Sequence, residues 1–345
     1  MPGKMAPQRL AQVAFWYYIE GRSEGEIGDR LGLSRSNVSR MLTAAREQNI
    51  IRFEIDYPLE RDQRLEKQLT GRFAGTSLRE VIVAGVGAAS EESPDGEGGR
   101  EAAIFAVAQA GVNWLATSLR DGMTVGLSWG SVTQTLVDVA HFEERRNVHV
   151  VQLAGEASLD SRHSGHNLVR DFAARIGGTY TYFDAPAAGR SARDGASLFR
   201  SPQVSAALER ARSADVSLLG VGAYNVGSSH VFLTQAEATP TELAEAESKN
   251  VVGQICGRLF DASGNQPNLA LHRRLISIDL KDLKKIKTNV IVATDPVKAT
   301  ALAAAVYGGL VQVVIVDTML AEGILLATAD GPYRTGDTPG LAEPA

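Results

Sequence analysis

A single cysteine, Cys256, is present in 345 residues. One thiol rules out an intrachain disulfide and a thiolate zinc cluster, and a reducing cytosol is the natural setting for such a chain. No run of ~18 apolar residues occurs, so no membrane span is expected. The first residues lack the charged-then-apolar layout of a secretory signal, which adds to a cytoplasmic expectation. No Gly-x-Gly-x-x-Gly follows a strand-like run and no P-loop is present, so neither a dinucleotide nor a nucleotide cofactor is expected. No serine sits in a nucleophile elbow. His163 and His166 are three apart without further ligands, too little for a metal site. No internal repeat is visible. Catalytic residues, metals and cofactors are therefore all expected to be absent.

What is present begins with bulk. Hydrophobic residues make up 44% and charged residues 22%, the profile of a globular chain long enough for two domains. The net charge is −5, too acidic for wholesale nucleic-acid coating. It is unevenly spread. Residues 1–52 hold eight Lys and Arg against five Asp and Glu, a net of +3, and the remainder holds 27 against 35, a net of −8. A mildly basic head on an acidic body suits a protein that meets DNA with one end.

Residues 23–42 read as two short helices around a tight turn. Ser23 and Glu26 have the spacing of a capping box. Ile27 and Leu31 share a buried face, and Gly32 follows where a left-handed residue ends a helix. Leu33 should plug the gap between helices, and Ser34 should cap the next one. In that helix Val38, Met41, Leu42 and Ala45 point inward, while Arg35, Ser36, Asn37, Ser39, Arg40 and Thr43 form a small polar face. Short polar side chains admit a helix to the major groove. Arginine reaches guanine edges or phosphates, and asparagine pairs with adenine. With Ser34, these seven are the candidate DNA contacts of a helix-turn-helix. A generic packed helical hairpin is the competing reading. An earlier helix over residues 8–20, with Leu10, Val13, Ala14 and Tyr17 on one side, would complete a three-helix core. Ile51, Phe53 and Ile55 alternate as in a strand, a candidate wing.

Tyr57-Pro58 closes this region. Residues 59–73 read as a helix with Leu65, Leu69 and Phe73 on one stripe, a linker helix, a dimer contact or a plain packing helix. Beyond it, strand-like runs, most of them rich in Val, Ile and Leu, recur at residues 81–84, 123–128, 148–153, 180–183, 216–221, 290–293 and 313–317, with helices between most of them. That pattern predicts a parallel sheet covered on both faces, with ligands beyond the carboxyl ends of its strands. Residues 85–99 read as a mobile loop. The expected domains are a helix-turn-helix at 1–57, a linker helix at 58–78, an α/β effector-binding and oligomerisation domain at 79–328, and a disordered tail at 329–345.

Three places could hold a small ligand. Around Ser128, Gly130, Ser131 and Thr133 a strand ends in a glycine turn and a helix begins, which favours an anion such as phosphate. An ordinary serine-capped turn is the alternative. Lys298 stands in the first turn of a helix after a strand, where a cation opposes the dipole and would be explained by a ligand anion, or by plain solvation. Asp261, beside a glycine turn, would bind sugar hydroxyls or simply shape the turn.

The segments 11–21 and 26–40 resemble the DNA-binding domain of the SorC family of bacterial transcriptional regulators. Residues 121–130, 150–153 and 253–261, and Lys298 with residues 308–311, resemble that family's sugar-binding domain. The resemblance runs from about Gln8 to Ala327. It implies an N-terminal all-α helix-turn-helix domain and a C-terminal α/β Rossmann-like domain resembling the ribose-5-phosphate isomerase and glucosamine-6-phosphate deaminase fold. It further implies a sugar, sugar phosphate or polyol effector, operator DNA as partner, and a homodimer or homotetramer. Effector contacts would be Ser128, Gly130, Ser131, Thr133, Gly155, Asp261 and Lys298. At residues 151–156 the sequence departs from the family's frequent asparagine-glycine-glycine turn. Ala154 removes a polar contact and Glu156 adds a negative charge, which leaves room for an uncharged polyol. The alternative is a sugar-phosphate isomerase or deaminase fused to a DNA-binding head, with Asp261, Glu156 or His163 as base.

Overall fold

The computed structural model describes residues 6–48, 50–51, 59–85, 97–157, 164–329 and 331. The expected wing strand (beyond Ile51), most of the loop at 85–99, nearly all of the tail, and His163 lie outside them. The chain divides into two compact units, Met1–Asp56 and Tyr57–Ala345.

Among its described residues the first unit has three α-helices. α1, Pro7–Ala14, runs into a π-helical turn over Phe15–Ile19. α2 is Glu24–Leu31 and α3 is Arg35–Glu47. Ser23 Oγ accepts from the Glu26 N–H at 3.3 Å, and the Glu26 carboxylate accepts from the Ser23 N–H at 2.8 Å, which completes the capping box. Gly32 ends α2 at φ 66°, a left-handed conformation that a Cβ disfavours. Ser34 Oγ caps α3 by accepting from the Asn37 N–H. Leu10, Val13, Ile27, Val38, Met41, Leu42 and Ala45 form the core, with Leu33 packed against it. Trp16 joins that core, and the Arg30 guanidinium lies 4.4 Å from the centre of its ring. The tight corner depends on Gly28, where a Cβ would stand 2.6 Å from the Leu33 carbonyl oxygen.

The second unit is built on a seven-stranded parallel sheet. Its strands are β1 (Glu80–Ala84), β2 (Thr124–Leu127), β3 (His149–Gln152), β4 (Thr179–Thr181), β5 (Val216–Leu219), β9 (Thr288–Ala293) and β10 (Val313–Asp317), in the order β1-β10-β9-β5-β2-β3-β4. Alternate residues point to opposite faces, and both faces are apolar. Val81, Val83, Val151, Leu153, Ile291 and Val314 enter one core, while Ile82, Val125, Leu127, Val150, Val290 and Ile315 enter the other. Helices cover both, as continuous apolar strands require. Leu65, Leu69 and Phe73, on the helix Gln63–Arg72 and just past its end, belong to the first of these cores. The helix read as a linker therefore packs as an ordinary part of this unit.

A second, antiparallel sheet was not legible in the sequence: β6 (Gly222–Ala223), β7 (Val251–Ile255) and β8 (Arg258–Asp261). Its β7–β8 hairpin turns on Cys256 (φ 53°) and Gly257 (φ 75°), the pair of positive φ angles that a two-residue type I′ turn needs. The buried Arg258 guanidinium locks the hairpin down by donating to Ser277 Oγ and to the carbonyls of His272 and Ser277. His272 Nε2 accepts from the Leu259 N–H at 3.0 Å, so Nδ1 carries the proton and donates to the Pro267 carbonyl. Burial, helped by the charge of Arg258, pushes the His272 imidazole down to about 4.

That depression has a sign. The unfolded chain takes up this proton below pH ~6.5 and the folded one only near 4, so the stability His272 contributes is intact above ~6.5 and lost as pH falls toward 4. The loss approaches ~3 kcal/mol. Urea midpoints of the native protein are expected to fall over that window more steeply than those of a His272→Gln variant. Equal slopes would contradict the assignment. No helix among the described residues is long and apolar enough to cross a membrane.

Candidate functional site

Strand order places the ligand cleft. From β2 the chain steps outward to β3 and β4, then returns to β5 on the other side of β2 and steps through β9 to β10. The order reverses between β2 and β5, and crevices open beyond the carboxyl ends of strands at such a reversal. A cleft opens there.

Each wall comes from a strand end. Residues following β2 supply Ser128, Gly130, Ser131 and Thr133, and residues following β5 supply Gly220 and Gly222. The hairpin contributes Gln254 and Cys256, and Lys298 arrives on the 3-10 turn Pro296–Lys298 after β9. Two helices begin at the cleft, Ser131–Val139 and Ser228–Gln235. Their first-turn amides lack intrahelical acceptors, and their dipoles favour an anion. Thr133 Oγ1 is fully buried and has no hydrogen-bond partner. Trp129 forms the floor support: its indole N–H donates to the Gly155 carbonyl at 3.1 Å and its ring stacks on Phe232 at 5.6 Å. Burial lowers the Lys298 ammonium from its ordinary value, against the pull of Asp295 and Asp317. Among the described residues no carboxylate lines the cleft.

Of the seven expected effector residues, the fold gathers Ser128, Gly130, Ser131, Thr133 and Lys298 around this cleft. Gly155 and Asp261 stand outside its lining. A Cβ at Gly155 would meet the Pro186 carbonyl oxygen at 2.4 Å, so this glycine serves close backbone packing behind Trp129. Asp261 Oδ1 accepts from the N–H groups of Ser263 and Asn265, both at 2.9 Å, and so shapes its own turn. Glu156 is also engaged. Its carboxylate accepts from the N–H groups of Gly165 (2.9 Å) and His166 (3.1 Å) at the start of the helix Gly165–Ile176. The negative charge that argued for an uncharged ligand therefore sits on a helix terminus outside the cleft lining. His166 stacks on Tyr182 with ring centres 3.6 Å apart. Among the described residues no cluster of His, Cys, Asp or Glu could hold a metal.

Sequence reasoning missed Gly220, Gly222, Gln254 and Cys256. The glycine pair at the end of a Val/Leu run was the one available signal. A Cβ at Gly222 would come within 3.0 Å of the Gln254 amide nitrogen, so the bare backbone keeps this corner open.

On the first unit, α3 presents the expected polar face. Arg35, Ser36, Arg40 and Thr43 are exposed, and Asn37 and Ser39 are half-exposed. Arg40 donates to Asn37 Oδ1, which couples those two side chains. Arg35 pairs with Glu24 at 3.1 Å, a solvent-exposed contact that is easily exchanged for another anion.

These features define a ligand-binding α/β domain with an anion-favouring cleft at its strand-order reversal, joined to a separate trihelical unit. The Sugar-bind family of sugar-binding domains matches residues 57–326, and the chain belongs to that family. Similarity extends over both units. The transcriptional regulator LsrR of Escherichia coli K12 is 28% identical over 325 residues, which covers 94% of this chain and 96% of that one. The sorbitol operon regulator of Klebsiella pneumoniae is 26% identical over 322 residues, covering 92% and 97%. The crystal structure of full-length SorC from Klebsiella pneumoniae shares the fold, with a TM-score of 0.66 at 24% identity over 92% of this chain and 99% of that one. The resemblance to SorC-type regulators stands.

Proposed function

We propose that this protein is a transcriptional regulator of a carbohydrate catabolic operon, with α3 as its DNA-reading helix and the cleft as its effector site. The first unit is read as a helix-turn-helix and the second as a sensor built on an isomerase- and deaminase-like fold. The effector is a sugar or polyol carrying an anionic group, most simply a phosphate. The observation behind that choice is the cleft's composition among the described residues: Lys298, two helix N-termini, hydroxyls and no carboxylate. Operator DNA and a second copy of the chain are the partners, and an effector that prefers one arrangement of subunits shifts the spacing of the reading heads. Paired heads need half-sites about one helical turn apart or a multiple of it.

The enzymatic alternative needs a base beside the substrate. Asp261 and Glu156 are engaged by backbone amides, and neither lines the cleft. Thermal shift against a panel of sugar phosphates and polyols tests the sensor reading. A rise in Tm with an unaltered ligand is expected, and turnover of that ligand to product would favour the enzyme.

Arg40→Ala is expected to weaken operator binding by about 10- to 100-fold, the worth of one good base contact, and binding to random DNA far less. Gel shifts at fixed salt check this. Equal losses on both DNAs would move Arg40 from bases to phosphates.

A further inference from the structure

One side chain of the cleft wall is only half used. Gln254, on β7, is 4% exposed and lines the cleft. Its Oε1 accepts from the Gly257 N–H at 2.7 Å. An N–H only donates, so the end of the amide that meets it is the oxygen, and the other end is the NH2 group. No described residue accepts from that group. It lies over Gly222, another residue of the lining, where a Cβ would stand 3.0 Å from it. Tying down the turn needs the oxygen alone. A donor without an acceptor on a buried side chain is costly, and this one is left at the ligand space.

The amide is also held still. The turn that fixes its oxygen has Cys256 and Gly257 at φ 53° and 75°. Phe232 fixes the turn in its place, since a Cβ at Gly257 would come 2.5 Å from the ring, and that ring stacks on Trp129. A donor set in advance costs a ligand little in ordering.

The rest of the wall is rich in donors. The Lys298 ammonium and the first-turn amides of two helices donate and do not accept. Burial pushes the Cys256 thiol up to about 11, so it stays uncharged. Among the described residues the lining has hydroxyls but no carboxylate. A ligand hydroxyl set against the Gln254 NH2 group must find a second partner for its own proton. A carbonyl or carboxylate oxygen has no proton to place.

We propose that Gln254 is a specificity-determining residue of the effector site: its amide nitrogen donates to a carbonyl-type oxygen of the ligand, separate from the anionic group, so that a keto-sugar phosphate or a phosphorylated sugar acid is preferred to the matching polyol phosphate. The inference rests on the anion-binding reading of the cleft, in which Lys298 and the helix N-termini take the phosphate.

Calorimetry on the full chain with two matched pairs tests this: ribulose 5-phosphate against ribitol 5-phosphate, and 6-phosphogluconate against sorbitol 6-phosphate. The first pair differs by a ketone and the second by a carboxylate. In the native protein the carbonyl-bearing member of at least one pair is expected to bind about tenfold tighter than its polyol, the worth of one hydrogen bond. The pair that shows the preference tells ketone from carboxylate. Gln254→Glu keeps an oxygen for the Gly257 N–H and turns a second oxygen to the ligand, so the preference should invert toward the polyol. Gln254→Met, which has no amide, should bring the ratio near one. A polyol that binds the native protein as tightly as its partner in both pairs, or an unchanged ratio in either variant, overturns the proposal. So does a Gln254→Met variant that loses inorganic sulfate by the same factor as the preferred ligand, which would put the amide on the anion. If Lys298→Ala binds the preferred ligand as well as the native chain, or if the native chain binds neither pair, the anion reading fails and Gln254 falls with it. A preference that needs Lys298 but ignores Gln254 defeats the present inference alone.

Discussion

Gly28→Val is expected to weaken operator binding about 100-fold while the sugar-binding unit stays folded. The substitution meets backbone, since the new Cβ would stand 2.6 Å from the Leu33 carbonyl oxygen, and the Leu33 N–H already bonds to the Gly28 carbonyl at 2.9 Å. Neither partner is a flexible side-chain tip. Relief requires α2 and α3 to part, and α3 carries the reading face. Overpacking of this kind costs about 1–3 kcal/mol or more, and a β-branched residue adds its own helix penalty. A head of this size has little stability in reserve. A loss of about 100-fold in operator affinity is therefore expected. The control is the cleft, where sulfate or sugar-phosphate binding should be unchanged because the second unit has its own cores. Operator binding that survives the substitution would show that the α2–α3 corner does not set the reading geometry.

Lys298→Ala carries the other large effect. Among the described residues the ammonium is the single cation lining the cleft, and a charge-assisted hydrogen bond there is worth ~1.5–3 kcal/mol. Affinity for an anionic effector should drop by about 10- to 150-fold, and the transcriptional response with it. DNA binding without effector should be untouched. Lys298→Arg should recover part of the affinity. A neutral polyol should bind the native and Ala forms alike. An unchanged response to the anionic effector in Lys298→Ala would remove that residue from the site.

How much of this was legible in the sequence depended on range. The trihelical head was readable because its determinants are local. Ser23 and Glu26 are three residues apart, Gly32 ends its own helix, and Ser34 caps the next. Six of the seven parallel strands were readable as runs rich in Val, Ile and Leu because they are largely buried, while the edge strand β4 is an exposed Thr-Tyr-Thr segment. Their order was not, since pairing β5 against β2 joins segments about ninety residues apart. That pairing creates the cleft, so the two walls that begin their own helical turns, at Ser131 and Lys298, were legible while Gly220, Gly222 and the hairpin wall were not. The β6–β8 sheet escaped because Gln254 and Arg258 interrupt its apolar pattern with buried polar side chains. Asp261 and Glu156 show a different difficulty. A carboxylate reads the same in sequence whether it meets a ligand or a backbone amide, and here both meet amides.

The decisive measurement is fluorescence anisotropy of the DNA upstream of the protein's own gene, titrated at modest ionic strength with and without the sugar phosphate selected by thermal shift. Saturable binding that outcompetes random DNA and moves with the ligand is the expected result. Anisotropy that stays flat, with the ligand and without it, would contradict a sugar-controlled DNA-reading role.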